Sequence, residues 1–476
     1  MNRLGNCWMT LIMSQSPYSR RELFQHAAGG FASIALAGVL AEQARPEEAA
    51  DPLAPRSPHF PAKAKRVIFL YMTGGVSHVD TFDPKPQLFA RHGQTITVDN
   101  RQGRTFHRFL KRPDWAFRKG GQSGIEVSEL FPHVREVIDE VCVIRSLESN
   151  HTNHYEGTLG MHTGSWTFAR PSIGAWVSYG LGTENRNLPS FVVIAPAAPY
   201  AGSQTWGSDF LPGCHQGTQV IPGPTPIPNI RPRVASPQLQ ELELQLIGQA
   251  NRRHLESGPR DSALEARIRS FEAAFGMQSA APEAFDLSGE TDATLRLYGV
   301  DRGRASGFGW QCLMARRLAE RGVRFIELID TGSSNNWDSH GNMRDHVALA
   351  RNVDQPIAGL IRDLKQRGML DDTLVVWTTE FGRTPYHEQA SHTGREHHHQ
   401  VFSSWLAGGG IKGGMVHGAS DEFGIAVGED RVHVHDFHAT ILHLLGLDHE
   451  RLTFRLNGRD YRLTDVEGNV VREILS

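Results

Sequence analysis

Five strings of this chain concentrate residues able to bind a metal or an anion. GGVSHVDTFDPKP carries His78, Asp80 and Asp83, and SNHTNHYEGTLGMHTG carries His151, Thr152, Asn153, His154, Glu156 and His162. TGSSNNWDSHGN carries Asp338 and His340, TTEFGRTP carries Glu380 and Arg383, and HTGREHHHQVF carries His392, Arg395, Glu396, His397, His398 and His399. Asp338 and His340 are two residues apart, which on a helix would point them away from each other. On extended backbone both lie on one side, roughly 6.5 to 7 Å between Cα atoms, close enough to grip one cation. The same alternation pairs His397 with His399 and turns His398 away, whereas a turn would present His398 instead. Taken singly, each string also fits an ordinary turn, a cap or a solvated loop. A Ser-His-Asp triad at Ser77 lacks the G-x-S-x-G frame and a following helix.

The weight comes from where the strings fall. Arg66 to Met72 is a continuous apolar run of the kind that starts a parallel sheet buried on both faces. Further strands are expected at Val141–Arg145, Phe191–Ala195, Val323–Ile329 and Thr373–Trp377. A helix is expected over Leu130–Glu140, and another over Arg344–Arg367, where Val347, Ala350, Val353, Ile357, Leu360, Ile361 and Leu364 keep a helical period. Strand, helix, strand at this spacing predicts right-handed crossovers and a three-layer α/β/α sandwich with a mostly parallel central sheet. In such sheets ligands gather beyond the carboxyl ends of the strands, and four of the five strings directly follow a strand. Residues 196–235 are rich in Pro and Gly and without period, so they read as an irregular excursion. A helical insertion is expected at about 236–300, with a two-helix pattern over Pro237–Met277 broken at Ser257-Gly258-Pro259.

Composition sets the outer limits. With 49 Lys+Arg against 52 Asp+Glu the net charge is −3, which argues against a nucleic-acid partner. The chain holds 24 His and only 4 Cys, so imidazole and carboxylate, not a thiolate cage, are the available ligands. The implied cofactor is a divalent metal, zinc first, with calcium or manganese as alternatives. Residues 16–41 join the pair Arg20-Arg21 to a stretch too short and too rich in Gly and Ala to span a bilayer stably. Residues 1–45 therefore read as a twin-arginine-type signal peptide, 46–62 as a linker and 63–476 as one domain, exported to the periplasm or the extracellular space. Cys142 and Cys312 fall at core positions of a strand and a helix, so neither reads as a redox group.

The ordered set GGVSHVDTFDPKP, WDSHGN, TTEFGRTP, REHHHQVFSSWLAGGGIKGG and HVHDFHATILHLLGLDHERLTFRLNGRDYRLTDVEG resembles an exported bacterial family catalogued only as domain of unknown function number 1501. The resemblance spans the mature chain. That family is similar to sulfatases and belongs with the alkaline phosphatase superfamily, which implies a sulfatase-like sandwich with one or two divalent cations at the strand ends. On that pattern Asp338 and His340 match the middle ligand pair, and Glu380-Phe381 stands where an Asp-His pair belongs. His397 or His398 would supply the late histidine, and Asp80 or Asp83 would replace the carboxylate missing at Thr73. The nucleophile position, counted back from Thr163-Gly164, falls on His154, with Thr152 as the alternative alcohol. Arg383 and Arg395 would hold non-bridging oxygens of a tetrahedral anion.

Two functional readings follow. One is an exported, metal-dependent hydrolase of phosphate or sulfate esters, with a small-molecule or glycan ester as substrate. The other is a non-catalytic secreted binding or scaffold protein on a degenerate sulfatase-like fold. No Cys begins the Cys-x-Pro-x-Arg string that formylglycine formation needs, so aldehyde-dependent sulfatase chemistry is not expected. Oligomeric state is left open. Fusing residues 1–45 to a reporter should export it, and Arg20→Lys with Arg21→Lys should retain it in the cytoplasm, as fractionation of the reporter would measure.

Overall fold

Val67, Ile68, Phe69, Leu70 and Tyr71 are all fully buried, so the strand they form must be covered on both faces. The computed structural model describes residues 51–99, 105–185, 187–227, 236–257 and 262–476. The proposed leader, residues 46–50 and the Gly258-Pro259 break lie outside these. Pro52–Ser476 form one unit. Among the described residues its central sheet has nine strands. In chain order they are β1 (Arg66–Tyr71), β2 (Val141–Glu148), β3 (Phe191–Ile194), β4 (Thr218–Val220), β5 (Phe325–Ile329), β6 (Thr373–Thr378), β7 (Phe402–Ala407), β8 (Met415–His417) and β9 (Val432–His433).

Across the sheet the order is β8-β2-β7-β6-β1-β5-β3-β4, with β9 also paired to β2. β7 alone is antiparallel to its neighbours, β6 and β2. Every other pairing is parallel. Side chains of β1 alternate between two cores. Ile68 and Leu70 enter the core that holds helices α5 (Phe308–Glu320) and α6 (His346–Gln366). Val67, Phe69 and Tyr71 enter the core that holds α1 (His154–Thr163), α2 (Ile173–Leu181) and α7 (Val434–Leu444). This is the three-layer α/β/α sandwich that the strand and helix spacing predicts.

The insertion is a pair of helices, α3 (Pro237–Ser257) and α4 (Ser262–Phe285), followed by a short helix at Asp292–Leu297. The excursion at 196–235 is less irregular than its composition suggests, because β4 extends the sheet edge alongside β3. Three residues are too few to display a period. The helix expected over Leu130–Glu140 is shorter, α-helical only over Pro132–Glu136 with a 3-10 turn at Ile138–Glu140. Within the stretch read as linker, Arg56 N–H donates to the Leu181 carbonyl and His59 N–H to that of Gly446, so this part is strapped onto the domain. No helix among the described residues is long and apolar enough to cross a membrane.

The registers decide where the chemistry can sit. Tyr71 of β1 pairs with Thr378 of β6 on one side and with Ile329 of β5 on the other. The three strands therefore end level, and the segments after residues 71, 329 and 378 emerge side by side. α1 is held above these ends by buried polar contacts. The Thr158 hydroxyl donates to the Tyr71 hydroxyl, 2.9 Å away, whose own proton goes to Glu380. His162 Nε2 lies 2.8 Å from Glu327 of β5, with both side chains 1% exposed, and its Nδ1 is 2.7 Å from the Thr158 carbonyl. Gly157 lets the helix approach, since a Cβ there would stand 3.1 Å from the Phe381 ring and 3.3 Å from the Glu380 Cβ.

Removing one partner of a buried ion pair leaves the other uncompensated, at about 3–5 kcal/mol. Glu327→Ala should therefore lower the unfolding free energy by about 3–5 kcal/mol, while replacing His162 and Glu327 together with apolar residues should cost less. Urea denaturation of the three variants against the parent measures both effects.

Candidate metal centre

Asp338 and His340 sit on a loop with little regular structure, so its shape must come from elsewhere. The Trp337 indole donates to Asp330 Oδ2 at 2.6 Å, and Trp337 N–H donates to the Thr73 carbonyl at 3.0 Å. Asp330 also accepts from Thr73 N–H at 3.0 Å and Thr331 N–H at 2.6 Å, so one buried carboxylate joins the loops after β1 and β5. Burial pushes the Asp330 carboxyl up to about 6 against these donors. Gly74 has φ +113°, and a Cβ there would meet the Trp337 and Asp338 backbone nitrogens at 2.7 Å, so only glycine fits this approach. From the other side Met343 N–H donates to the Thr393 carbonyl at 3.0 Å and Arg395 N–H to that of Ser339 at 3.2 Å. The loops bearing Asp338 and His397 are thus laced together.

Three imidazoles surround Asp338. His397 Nε2 lies 3.1 Å from Asp338 Oδ1, His340 Nε2 lies 2.9 Å from the same oxygen, and His154 Nε2 lies 3.2 Å from Oδ2. His340 Nε2 and His397 Nε2 are 2.9 Å apart. Donor atoms of His154, Asp338 and His397 all fall within 4.8 Å of one another. Each ring is fixed from behind at Nδ1. His154 Nδ1 bonds Glu380 Oε1 at 2.8 Å, His397 Nδ1 donates to the Thr152 carbonyl at 2.6 Å, and His340 Nδ1 faces Glu396 Oε2 at 2.8 Å. A ring whose Nδ1 proton is held by a carbonyl or carboxylate presents a lone pair at Nε2, the arrangement of carboxylate–histidine metal ligands. His154 Nε2 is moreover buried and makes no well-formed hydrogen bond, despite the nearby Asp338 oxygen.

The separations suit a metal. Two ligands 2.0–2.1 Å from a tetrahedral zinc ion stand about 3.3 Å apart, close to the 2.9–3.2 Å contacts here. Burial opposes charge on Asp338, yet its close contacts with the His154 and His397 rings and the Arg383 guanidinium outweigh it and hold the carboxyl well below the usual range. Burial would lower His154, but Asp338 and Glu380 together raise it above its ordinary value. At His397 burial wins, with the charges of Arg383 and His154 adding to it, and the ring is biased to its neutral, ligating form. Tyr200 stacks on His154 with centroids 4.1 Å apart and planes 8° apart, and its hydroxyl accepts from Asn336 at 3.0 Å. A cleft of about 390 Å3 opens beside His397, lined among others by Arg108, Thr152, Tyr386, His387 and Glu396.

The other residues singled out in the sequence are placed differently. Glu380 is fully buried and accepts from Gly74 N–H at 2.8 Å and from Tyr71 and Thr379 hydroxyls at 3.0 Å, so it anchors His154 instead of facing the centre. Asp80 is fully buried and paired with Arg395 at 2.6 Å, with Ser77 on the same carboxylate, and it does not join the cluster. Arg395 spends its remaining donors on the Thr384 and Lys111 carbonyls at 3.1 Å each. Arg383 is fully buried, bonded to Asp338 Oδ1 at 2.5 Å and to the Gly74 and Gly75 carbonyls. Neither arginine has an open fork for a substrate anion. His398 faces away because His397–His398 pairs with Gly382–Arg383 as a short antiparallel ladder. Its Nε2 lies 2.7 Å from the Ile425 carbonyl, and its ring stacks near His78. Thr152 contributes its carbonyl to His397 and lines the cleft.

No curated protein matches this chain. Among solved structures, it is similar at 12% identity to the PsFucS1 sulfatase from Pseudoalteromonas sp., covering 91% of this chain and 73% of that one at a TM-score of 0.33. It is similar at 10% identity to the alkaline phosphatase of the Antarctic bacterium TAB5, covering 80% and 98% at a TM-score of 0.32. It is similar at 11% identity to the phosphonate monoester hydrolase SpPMH from Silicibacter pomeroyi, covering 72% and 71% at 0.32. Such distant likenesses assign neither an activity nor a ligand. The family described as "Protein of unknown function (DUF1501)" matches residues 64–475, and the chain belongs to that family.

Proposed function

We propose that this protein is an exported hydrolase of phosphate or sulfate esters that depends on a divalent cation held by Asp338, His340, His397 and His154. The observation that carries this reading is the convergence of three Nδ1-anchored imidazoles on one carboxylate. A set of three nitrogens and one oxygen suits zinc better than calcium, which prefers oxygen ligands throughout. The bound cation would supply Lewis-acid polarisation of a non-bridging ester oxygen. The chain's own residues do the rest of the work. Glu380, Glu396 and the Thr152 carbonyl fix the rings, Arg383 holds Asp338 ionised, and the cleft beside His397 admits a small-molecule or glycan ester. His154 Nδ1 is held by Glu380 and its Nε2 is turned onto the Asp338 cluster, so in this reading the residue is a ligand and not the nucleophile, and attack falls to a water from the cleft. A non-catalytic binding role is the second reading, favoured by the guanidinium of Arg383 already seated on Asp338 Oδ1.

Untagged protein should carry metal by elemental analysis, and Asp338→Ala and His340→Ala should each lose most of it while remaining folded. Glu380→Gln and Glu396→Gln, whose parent carboxylates meet the rings at Nδ1 and not at the ligating nitrogens, should weaken metal affinity about 10- to 100-fold. A screen of phosphate monoesters, phosphate diesters and sulfate esters with zinc added back should give turnover that Asp338→Ala abolishes. Protein that neither holds metal nor turns over any ester would favour the binding role.

Stripped of metal, His154 should leave a signature in stability. Its value in the folded protein is raised, so its contribution is complete below pH 6.5 and fades as pH climbs through the raised value. Histidines lowered by burial, such as His397, add no slope above pH 6.5, and the lowered carboxyls Asp338 and Glu380 matter only in acid. The urea midpoint of the chelated protein should therefore fall as pH rises above 6.5, and His154→Gln should flatten that fall.

A further inference from the structure

A second group of ligating side chains lies at the opposite end of α1. His433 caps the N-terminus of α7, and His435 lies in its first turn. His435 Nε2 is 2.8 Å from the Gly164 carbonyl, the residue that ends α1. A carbonyl can only accept, so that nitrogen carries the proton and Nδ1 of the neutral ring is a lone pair. This lone pair faces Glu467 Oε2 at 3.0 Å. His433 Nδ1 accepts from His435 N–H at 3.2 Å, so it too is unprotonated, and it stands 3.6 Å from the same Glu467 oxygen. Its Nε2 is 3.1 Å from Asn150 Oδ1. Three acceptor atoms thus converge, all within 4.8 Å of one another. Acceptors repel unless a proton or a cation lies between them.

The surroundings are built for a fixed ligand set. His433 and His435 are 4% and 5% exposed, and Trp166 packs against both rings with centroids 5.6 and 5.2 Å away. Glu467 reaches in from the C-terminal tail, 56% exposed, which leaves an entry path from solvent. The contacts of 3.0 and 3.6 Å bracket the separation of about 3.3 Å between ligands on a tetrahedral zinc ion. Two imidazoles and one carboxylate with a fourth position open is a ligand set that zinc accepts.

We propose that His433, His435 and Glu467 form a second divalent-cation site, independent of the Asp338 centre, which clamps the C-terminal tail to the end of α1. The bound cation would displace the long cap bond from His435 N–H and draw the Glu467 side chain inward.

The test is a zinc titration of the full chain against a chromogenic chelator after metal removal. Two equivalents are expected for the parent. Glu467→Gln and His435→Asn should each leave one, Asp338→Ala should leave the other, and Asp338→Ala with Glu467→Gln should leave none. Glu467 is exposed and its amide is isosteric, so this variant stays folded even if His435→Asn does not. Zinc should also raise the melting temperature of Asp338→Ala but not of the double variant. An unchanged stoichiometry in Glu467→Gln would overturn the proposal. A single equivalent lost only in Asp338→Ala would overturn it too, while a single equivalent lost only in Glu467→Gln would uphold it and instead remove the Asp338 centre.

Discussion

A carboxylate lifted out of bulk water must be compensated by positive charge, by hydrogen bonds or by a metal, and most of the site can be traced to how that demand is met at Asp338. Its two oxygens are shared among three imidazoles and one guanidinium. None of these partners is free to swing. Arg383 is tied to two backbone carbonyls of the loop after β1, and the rings are tied at Nδ1 to groups on the excursion after β6 and the loop after β2. The carboxylate therefore coordinates the loops after β1, β5 and β6 with the head of α1, much as a keystone fixes an arch. The hydrogen bonds that order these loops are mostly to backbone, which is why such short irregular segments can hold a defined geometry.

α1 is the part whose placement is least tolerant. Its first residue, His154, faces Asp338, and its interior carries Thr158 and His162, which bond to groups on β1 and β5. Glu380 links the two levels, accepting from Tyr71 of the sheet and from His154 of the helix. A shift of α1 along its axis would break both sets together. Specificity of position here rests on buried polar pairs and not on apolar packing alone.

The frame was legible in the sequence wherever burial on both faces wrote a continuous apolar run, as in β1 and β6. Where an element is three residues long, as in β4, no periodicity exists to be read. Asp338 and His340 were legible as two ligating side chains two residues apart, although a tight turn, with His340 N–H donating back to the Asp338 carbonyl at 3.2 Å, stands in place of the extended backbone expected; the turning away of His398 does follow from strand alternation. Pairings between distant positions were not. Asp80 looks like an available ligand until Arg395, 315 residues later, is found on it. His154 looks like a nucleophile because of where it falls before Thr163-Gly164, and the carboxylates facing both its nitrogens come from positions 184 and 226 residues later, which spacing does not reveal. Tyr200 sits in a stretch with no pattern at all, and the anchoring role of Glu396 depends on a loop-to-loop contact that spacing does not encode.

The reversed direction of β7 has an evolutionary reach. Because it runs antiparallel to β6, with Trp405 opposite Trp377, its beginning lies at the edge where β6 ends. Residues 379–401 therefore leave and re-enter the sheet through adjacent strands, only about 4.8 Å apart in the pairing direction. Glu380, Arg383, Arg395, Glu396 and His397 all travel on this one excursion. Closing a flexible loop costs only about 0.6 kcal/mol more for each doubling of its length. Descendants of this chain could lengthen or exchange that cassette, and with it the shape of the cleft, while the strands that carry it stay the same.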